Sequence, residues 1–235
     1  MMNKKEFPGN LEYVSPQLLI DKENKNDLQS FFLILGLIYN DLKGLIFFQK
    51  LVEDNYRKPE ADEVSAHAGE YNSLIAQADK LLIATVSEFL KFVEENNQII
   101  NSVQFLLHVK NLNSGNRNAW NNLVRLTGES SVFSKIARVR SNVTFHYDHS
   151  LEELRKGFIH SFFTKRKDLA QHKRAYYSLG DTMANTRIYF SDAAAEDYIF
   201  SILDISDKNN IRNAIHQMNH TIKGLLTEYL RSIKR

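Results

Sequence analysis

The sequence predicts an all-α protein, a multi-helix bundle that begins with a long helical hairpin. All three prolines of the 235-residue chain, Pro8, Pro16 and Pro59, precede residue 60, so no later residue interrupts a helix by lacking a backbone N–H. Apolar residues recur at three-and-four spacing in most segments after residue 26. With 43% hydrophobic and 25% charged residues, the composition is that of a folded protein with a substantial core. We therefore expect a lead segment over residues 1–25 and a single helical domain over residues 26–235.

The predicted hairpin rests on two long apolar stripes. The first stripe predicts a helix over about residues 26–54, and the second covers residues 71–96, after a polar connection at 57–62. Helices joined by a connection this short pack as antiparallel neighbours. Gly36 and Gly44 lie eight apart on the first helix and predict close approach of a neighbouring backbone.

Composition also indicates the compartment. The run from Phe31 to Phe48 is interrupted by Asn40, Asp41 and Lys43, so we interpret it as a buried helix and expect no membrane partner. The chain has no cysteine, which excludes disulfides, thiolate metal sites and cysteine nucleophiles and favours a reducing compartment. A secretory signal requires an apolar stretch after its basic residues, and the lysines at the amino terminus are not followed by one. We expect a cytoplasmic protein.

Shorter helices follow the hairpin. Apolar spacing predicts helices around residues 99–110, 120–127 and 132–143, and the next position on the last of these stripes is His146. Ser150 and Glu153 have the spacing of a capping box and predict a further helix start. The pattern weakens over 164–190, where we expect a turn at Gly180 and a briefly extended stretch at 188–190. A helix opening at Asp192 and a long last helix over 211–233 complete the prediction.

Charge is distributed unevenly along the chain. Residues 52–95 contain ten acidic and four basic residues, whereas residues 135–174 contain ten basic and four acidic ones. A cationic region attracts phosphate without sequence preference, so this asymmetry favours RNA as a partner. A solvated helix surface that carries lysine and arginine for no ligand is the alternative. The candidate phosphate contacts of the basic segment are Lys165, Arg166, Lys167, Lys173 and Arg174.

One motif carries candidate chemistry. Arg140 is followed by a polar residue, Ser141, and after five intervening residues by His146, near the end of a predicted helix. This arrangement resembles the arginine-x(4–6)-histidine signature of HEPN domains. The sequence Phe145-His146-Tyr147-Asp148 is followed by a basic segment and by the stretch from Tyr189 to Ala194. In this order of segments the chain is also similar to a group of uncharacterised bacterial proteins that carry such a motif. The HEPN-like core would cover about residues 97–235.

The resemblance implies a metal-independent endoribonuclease of toxin–antitoxin or antiviral systems, with Arg140 and His146 as catalytic residues. It also implies a homodimer and a possible antitoxin or defence-system partner protein. The chemistry suits these residues, because histidine exchanges protons near neutral pH and arginine holds two phosphate oxygens. Arg138, Asn142 and Tyr147 are further candidates for substrate binding. We expect no metal and no cofactor.

Other interpretations of the motif stay open. His146 could continue the buried stripe as a core histidine while Arg140 pairs with an acid. The chain would then be a non-enzymatic helical interaction or nucleic-acid-sensing module with a vestigial motif. On an α-helix, positions six apart lie about 120° and roughly 9 Å from each other, so Arg140 and His146 need not touch.

Metal sites have weaker support. His216 and His220 lie four apart on the last predicted helix, but no third ligand is visible and the glutamate of a zinc-protease motif is absent. His146 and His149, with Asp148 and Glu152, could gather an ion only if the helix continued past Ser150. No glycine-rich phosphate loop, nucleophile elbow or dinucleotide fingerprint occurs, which disfavours kinases, serine hydrolases and Rossmann enzymes.

Overall fold

A computed structural model describes residues 12–61, 63–127, 131–144, 152–164 and 174–234, and nearly all regular structure in these ranges is helical. The all-α prediction is confirmed. In the described ranges the extended pairing is limited to one isolated antiparallel bridge between Ser178 and Arg187. The helices are α1 (Pro16–Leu19), α2 (Asp27–Asn55), α3 (Ala66–Glu95), α4 (Asn97–Ile100), α5 (Val103–Asn111), α6 (Ser114–Leu126), α7 (Ser131–Val139), α8 (Glu152–Ile159), α9 (Tyr189–Ile202) and α10 (Ile205–Ile233), with π-helical turns at Arg140–Thr144 and His160–Thr164.

Helices α2 and α3 form the predicted antiparallel hairpin. The Phe31 ring near the start of α2 stacks on Phe92 near the end of α3, with centroids 4.7 Å apart, and Ile46, later on α2, lines the same cleft as Ala76, earlier on α3. Side-chain caps set where each helix begins. The side-chain oxygen of Asn26 accepts the Gln29 N–H, and Ser65 caps α3 in the same way. The predicted bounds of α2 agree with the structure to within a residue.

The long helix α10 packs on α2, α5 and α6 through an aromatic cluster. Phe32 of α2 stacks on Tyr229 of α10, with centroids 4.1 Å apart, and the Phe105 ring lies 5.2 Å from the Trp120 ring. All four side chains are buried. Burying a side chain of this size contributes about 1.5–3 kcal/mol, so the cluster joins the hairpin to the remainder of the bundle.

A capping box begins α10 and also ties it to α7. The Asp204 carboxylate accepts the Asp207 N–H, and the Asp207 carboxylate accepts the Asp204 N–H. Lys135 of α7 donates to Asp207 over 2.6 Å. This hydrogen bond raises the pKa of Lys135, while the cap lowers the pKa of Asp204. Since Asp207 is buried, the lysine neutralises a carboxylate that water does not reach.

Helices α8 and α9 approach each other closely at Gly157. A Cβ atom at this position would collide with the Ala194 carbonyl oxygen and come within 3.0 Å of Tyr198 Cβ. The missing side chain therefore permits the close packing of the two helices. A Cβ atom at Gly36 would make only ordinary contact with the Leu226 side chain, and the space around Gly44 is open, so the predicted close approach of a backbone occurs at neither glycine.

Helix α2 is buried along one stripe rather than all round. It is long and apolar enough to span a membrane by length and composition, yet only 22% of its most apolar 18-residue window is buried. Leu35 and Leu42 are fully buried, whereas Leu33 and Leu37 are more than half exposed. The expectation of a buried helix therefore holds for one face of α2 only.

The prediction of an extended stretch at 188–190 is wrong. Helix α9 begins at Tyr189, before the predicted start at Asp192, because the Tyr189 ring covers Gly69 of α3 and its hydroxyl donates to the Ala66 carbonyl over 3.3 Å. The extended pairing lies earlier, at Ser178 and Arg187, on either side of the turn predicted at Gly180. The predicted cap at Ser150 lies outside the described residues.

Candidate functional site

Arg140 lies where α7 gives way to a π-helical turn. Its Nε forms an ion pair with the Glu88 carboxylate of α3, and the two paired atoms are closed off from solvent. The Arg140 side chain as a whole remains 27% exposed, and that of Glu88 44%. Arg140 makes no further ion pair or hydrogen bond with the described residues. The guanidinium is thus anchored through Nε, and the side chain as a whole is partly exposed.

The motif segment runs along α3 in the opposite direction. Arg140 pairs with Glu88, and Thr144 donates its hydroxyl hydrogen to the Lys80 carbonyl, two helical turns earlier on α3, over 3.5 Å. The sequence estimate of the Arg140 to His146 separation assumed an α-helix, and the π-helical turn at Arg140–Thr144 removes that assumption.

Arg138 and Asn142 contact protein partners. The amide of Asn142 donates to the Tyr198 hydroxyl of α9 over 2.6 Å, and Arg138 donates to Glu153 of α8 over 2.7 Å. Lys156 also donates to Glu153, and these hydrogen bonds, from Lys156 first and then Arg138, lower the Glu153 pKa. Burial raises the pKa of Tyr198, so its hydroxyl stays protonated. This polar cluster joins α7, α8 and α9.

Several of the predicted site residues lie outside the described ranges. They are His146, Tyr147, Lys165, Arg166, Lys167 and Lys173. Of the basic segment, Arg174 is described, and its side chain is exposed. Of the motif, the structure brings Arg138 and Asn142 to one cluster around Tyr198, and it places Arg140 on the α3 side with Glu88.

The histidine pair of the last helix lies on the surface. The rings of His216 and His220 have centroids 4.6 Å apart, and both residues are exposed. Within the described ranges, no group of three or more His, Asp and Glu side chains is placed to hold a metal ion. The pair alone offers two ligands, fewer than zinc requires of a protein.

Two residues of the site were not singled out from sequence. Glu88 lies on α3 between the buried residues Ser87 and Phe89, and nothing in its local pattern indicates a partner far along the chain. Tyr198 lies on the apolar stripe of α9, a pattern that indicates packing alone, but its hydroxyl is a hydrogen-bond acceptor for Asn142. A buried tyrosine usually forms a hydrogen bond through its hydroxyl, and this tendency is the signal that could have identified Tyr198.

The fold and the site together define a helical bundle with a partly exposed arginine held on α3. No family model matches the chain, and neither the curated proteins nor the solved structures include one with significant similarity to it.

Proposed function

We propose that this protein is a cytoplasmic, metal-independent endoribonuclease of HEPN type, in which Arg140 and His146 act on the scissile phosphate. The observation that supports the proposal is the ion pair of Arg140 together with the partial exposure of its side chain. A carboxylate of α3 orients its guanidinium, and more than a quarter of the side chain stays accessible to a ligand. Six residues later the motif supplies a proton-transfer group, His146.

The reaction needs little from the protein because RNA carries its own nucleophile. The 2′-hydroxyl attacks the adjacent phosphorus, the bond from phosphorus to the 5′-oxygen breaks, and a 2′,3′-cyclic phosphate and a 5′-hydroxyl result. His146 takes the proton of the 2′-hydroxyl or supplies one to the leaving 5′-oxygen. Arg140 contacts the non-bridging oxygens and stabilises the charge that develops on the phosphorane.

Glu88 has two effects in this scheme. Its carboxylate orients Arg140 in the free protein, and it competes with phosphate for the guanidinium when RNA arrives. The paired Nε and Oε1 atoms are closed off from solvent while both side chains are partly exposed, so phosphate reaches this nitrogen when the ion pair opens. The proposal includes the partners that the resemblance implies: a second copy of the chain, which would bring another Arg140 and His146, and an antitoxin or defence-system protein.

Product chemistry tests the proposal. Purified protein is incubated with single-stranded RNA in excess chelator, and the termini of the products are identified. We expect cleavage that persists in chelator and leaves 2′,3′-cyclic phosphates. Cleavage that requires a divalent ion, or products with 5′-phosphate ends, would contradict the mechanism. The same assay is applied to Arg140→Ala. Its matched control is Arg125→Ala, which removes an arginine from α6 outside the motif.

A second candidate is a non-enzymatic interaction module, and the exposed apolar face of α2 favours it. Leu33 is 62% exposed, Leu37 is 61% exposed, and Ile34 lies beside them at 44%. Contiguous exposed apolar side chains mark surfaces that bind other proteins. Combining Leu33→Glu with Leu37→Glu tests this candidate: loss of a co-purifying protein, with RNA cleavage absent in the parent chain, would favour the module over the enzyme.

A further inference from the structure

A cleft of about 450 Å³ opens between α2, α3, α9 and α10. This volume lies within the range of small-molecule sites. Its floor consists of buried aliphatic side chains, among them Leu82, Ile83, Ile199, Leu203 and Ile211. The cleft therefore offers an apolar surface to the body of an organic ligand.

Charged residues surround this apolar floor, and most of the cations have no carboxylate partner. Lys80 and Arg212 make no side-chain ion pair or hydrogen bond with the described residues. The Nζ of Lys208 lies 3.5 Å from the centroid of the Phe200 ring, a contact that leaves its charge uncompensated. The carboxylate of Asp192 is already paired with Arg187 over 3.0 Å.

Glu196 of α9 also lines the cleft as a second acid, and Asp79 is the third. It lies on α3 next to Lys80, and Arg212 attracts it electrostatically, although the two are not within ion-pair distance. The lining therefore contains three cations, Lys80, Lys208 and Arg212, and three acids, Asp79, Asp192 and Glu196, of which Asp192 is already paired with Arg187. The three cations are the groups that meet an anionic part of a ligand, and Asp79 is an acceptor for one of its hydrogen-bond donors.

We propose that the cleft binds a nucleotide, with the phosphate at Lys80, Lys208 and Arg212 and the base on the aliphatic floor. A nucleotide combines the three features that the lining calls for: an anion, an apolar face, and hydrogen-bond donors for carboxylates. A fatty acid would satisfy the cations and the floor but would bury Asp79 against a hydrocarbon chain, which is unfavourable for a charged group.

The position of the cleft connects it to the motif without depending on it. Lys80 lines the cleft, and its backbone carbonyl accepts a hydrogen bond from the hydroxyl of Thr144, two residues before His146. Glu88, the partner of Arg140, lies eight residues farther along α3, about 12 Å at the rise of an α-helix. A nucleotide in this cleft is either free or one unit of an RNA strand that continues toward Arg140.

Calorimetric titration of the full chain tests the proposal with adenosine monophosphate as the probe. We expect Arg212→Ala to weaken binding at least tenfold and Lys223→Ala, an exposed lysine of α10 outside the cleft, to leave it unchanged. Adenosine, which lacks the phosphate, should bind at least tenfold more weakly than the monophosphate. A second variant, Ala76→Phe, should reduce binding by filling the cleft rather than by removing charge.

Four results would contradict the proposal. Absence of binding, equal weakening by Arg212→Ala and Lys223→Ala, equal affinity for adenosine, or tighter binding of laurate than of any nucleotide would overturn the assignment. A ribodinucleotide distinguishes the two sources: tighter binding than the monophosphate assigns the cleft to an RNA strand, and equal or weaker binding to a free nucleotide. Because no cleavage is measured, failure of the ribonuclease proposal leaves this result unaffected.

Discussion

Arg140 and Glu88 form an ion pair that fastens the motif segment to α3, with the paired Nε and Oε1 atoms closed off from solvent. The acid partner that one interpretation of the sequence anticipated for Arg140 is therefore present. This pairing is compatible with both a structural and a catalytic arginine, since the Arg140 side chain stays partly exposed. Replacing the Glu88 carboxylate by an amide distinguishes the structural role of Arg140 from the catalytic one.

Glu88→Gln should tighten RNA binding several-fold, because phosphate would no longer compete with a carboxylate for Arg140. It should also lower the free energy of unfolding by about 1–2 kcal/mol, since a partly buried charge loses its partner. Fluorescence anisotropy at fixed salt and thermal melting measure the two effects. Glu95→Gln is the control, because Glu95 pairs with Lys91 in an exposed position where little is lost. Weaker RNA binding by Glu88→Gln would contradict the competition.

Tyr198→Phe should destabilise the protein by about 1 kcal/mol, because the Asn142 amide loses its hydrogen-bond acceptor among α7, α8 and α9. Chemical denaturation measures the change in unfolding free energy. Tyr177→Phe removes a hydroxyl from a side chain that is 61% exposed and should leave stability unchanged. Equal effects of the two substitutions would show that the hydrogen bond to Asn142 contributes nothing.

Two glycine substitutions should have opposite signs. Gly157→Ala inserts a Cβ against the Ala194 carbonyl and should cost about 1–3 kcal/mol or more through overpacking. Gly44→Ala meets open space on α2 and should stabilise by about 0.5–1 kcal/mol through helix propensity. Melting temperatures report both, at roughly 2–4 °C per kcal/mol for a chain of this size. Changes of the same sign would contradict the packing of α8 on α9.

Asp79→Asn should raise the melting temperature at pH 7 by up to about 2 °C. Burial in the cleft, and secondarily Glu53, raises the Asp79 pKa, while Arg212 lowers it in part. Because the folded-state pKa is the higher one, the folded protein binds more protons, and stability falls as the pH rises from the unfolded value of about 3.9 through the folded pKa. The gain should therefore disappear below pH about 3.9. Asp41→Asn, which replaces an exposed aspartate of α2, is the control, and a gain that persists in acid would refute this explanation.

The long helices could be predicted because their signals are local. Apolar spacing predicts the start of α2 to within a residue, whereas α3 and α10 begin at Ala66 and Ile205, before the predicted stripes at 71 and 211, because the caps at Ser65 and Asp204 precede those stripes. The π-helical turn after Val139 could not be predicted, because the apolar stripe continues through it at ordinary spacing. Ile188-Tyr189-Phe190 has the composition of a strand, but contact of Tyr189 with Gly69 overrides that preference. Such contacts, like that of Arg140 with Glu88, join distant segments and leave no local signal.

The rate of RNA cleavage in chelator, compared among the parent chain, His146→Ala, Arg140→Ala and the control Arg125→Ala, tests the central claim most directly. We predict that the first two variants lose at least 100-fold in rate, in line with the usual contribution of a general acid or base, while melting temperatures stay close to that of the parent. Arg125→Ala should cleave at the parental rate. Cleavage that survives His146→Ala and Arg140→Ala, or loss of folding in His146→Ala, would contradict the ribonuclease account.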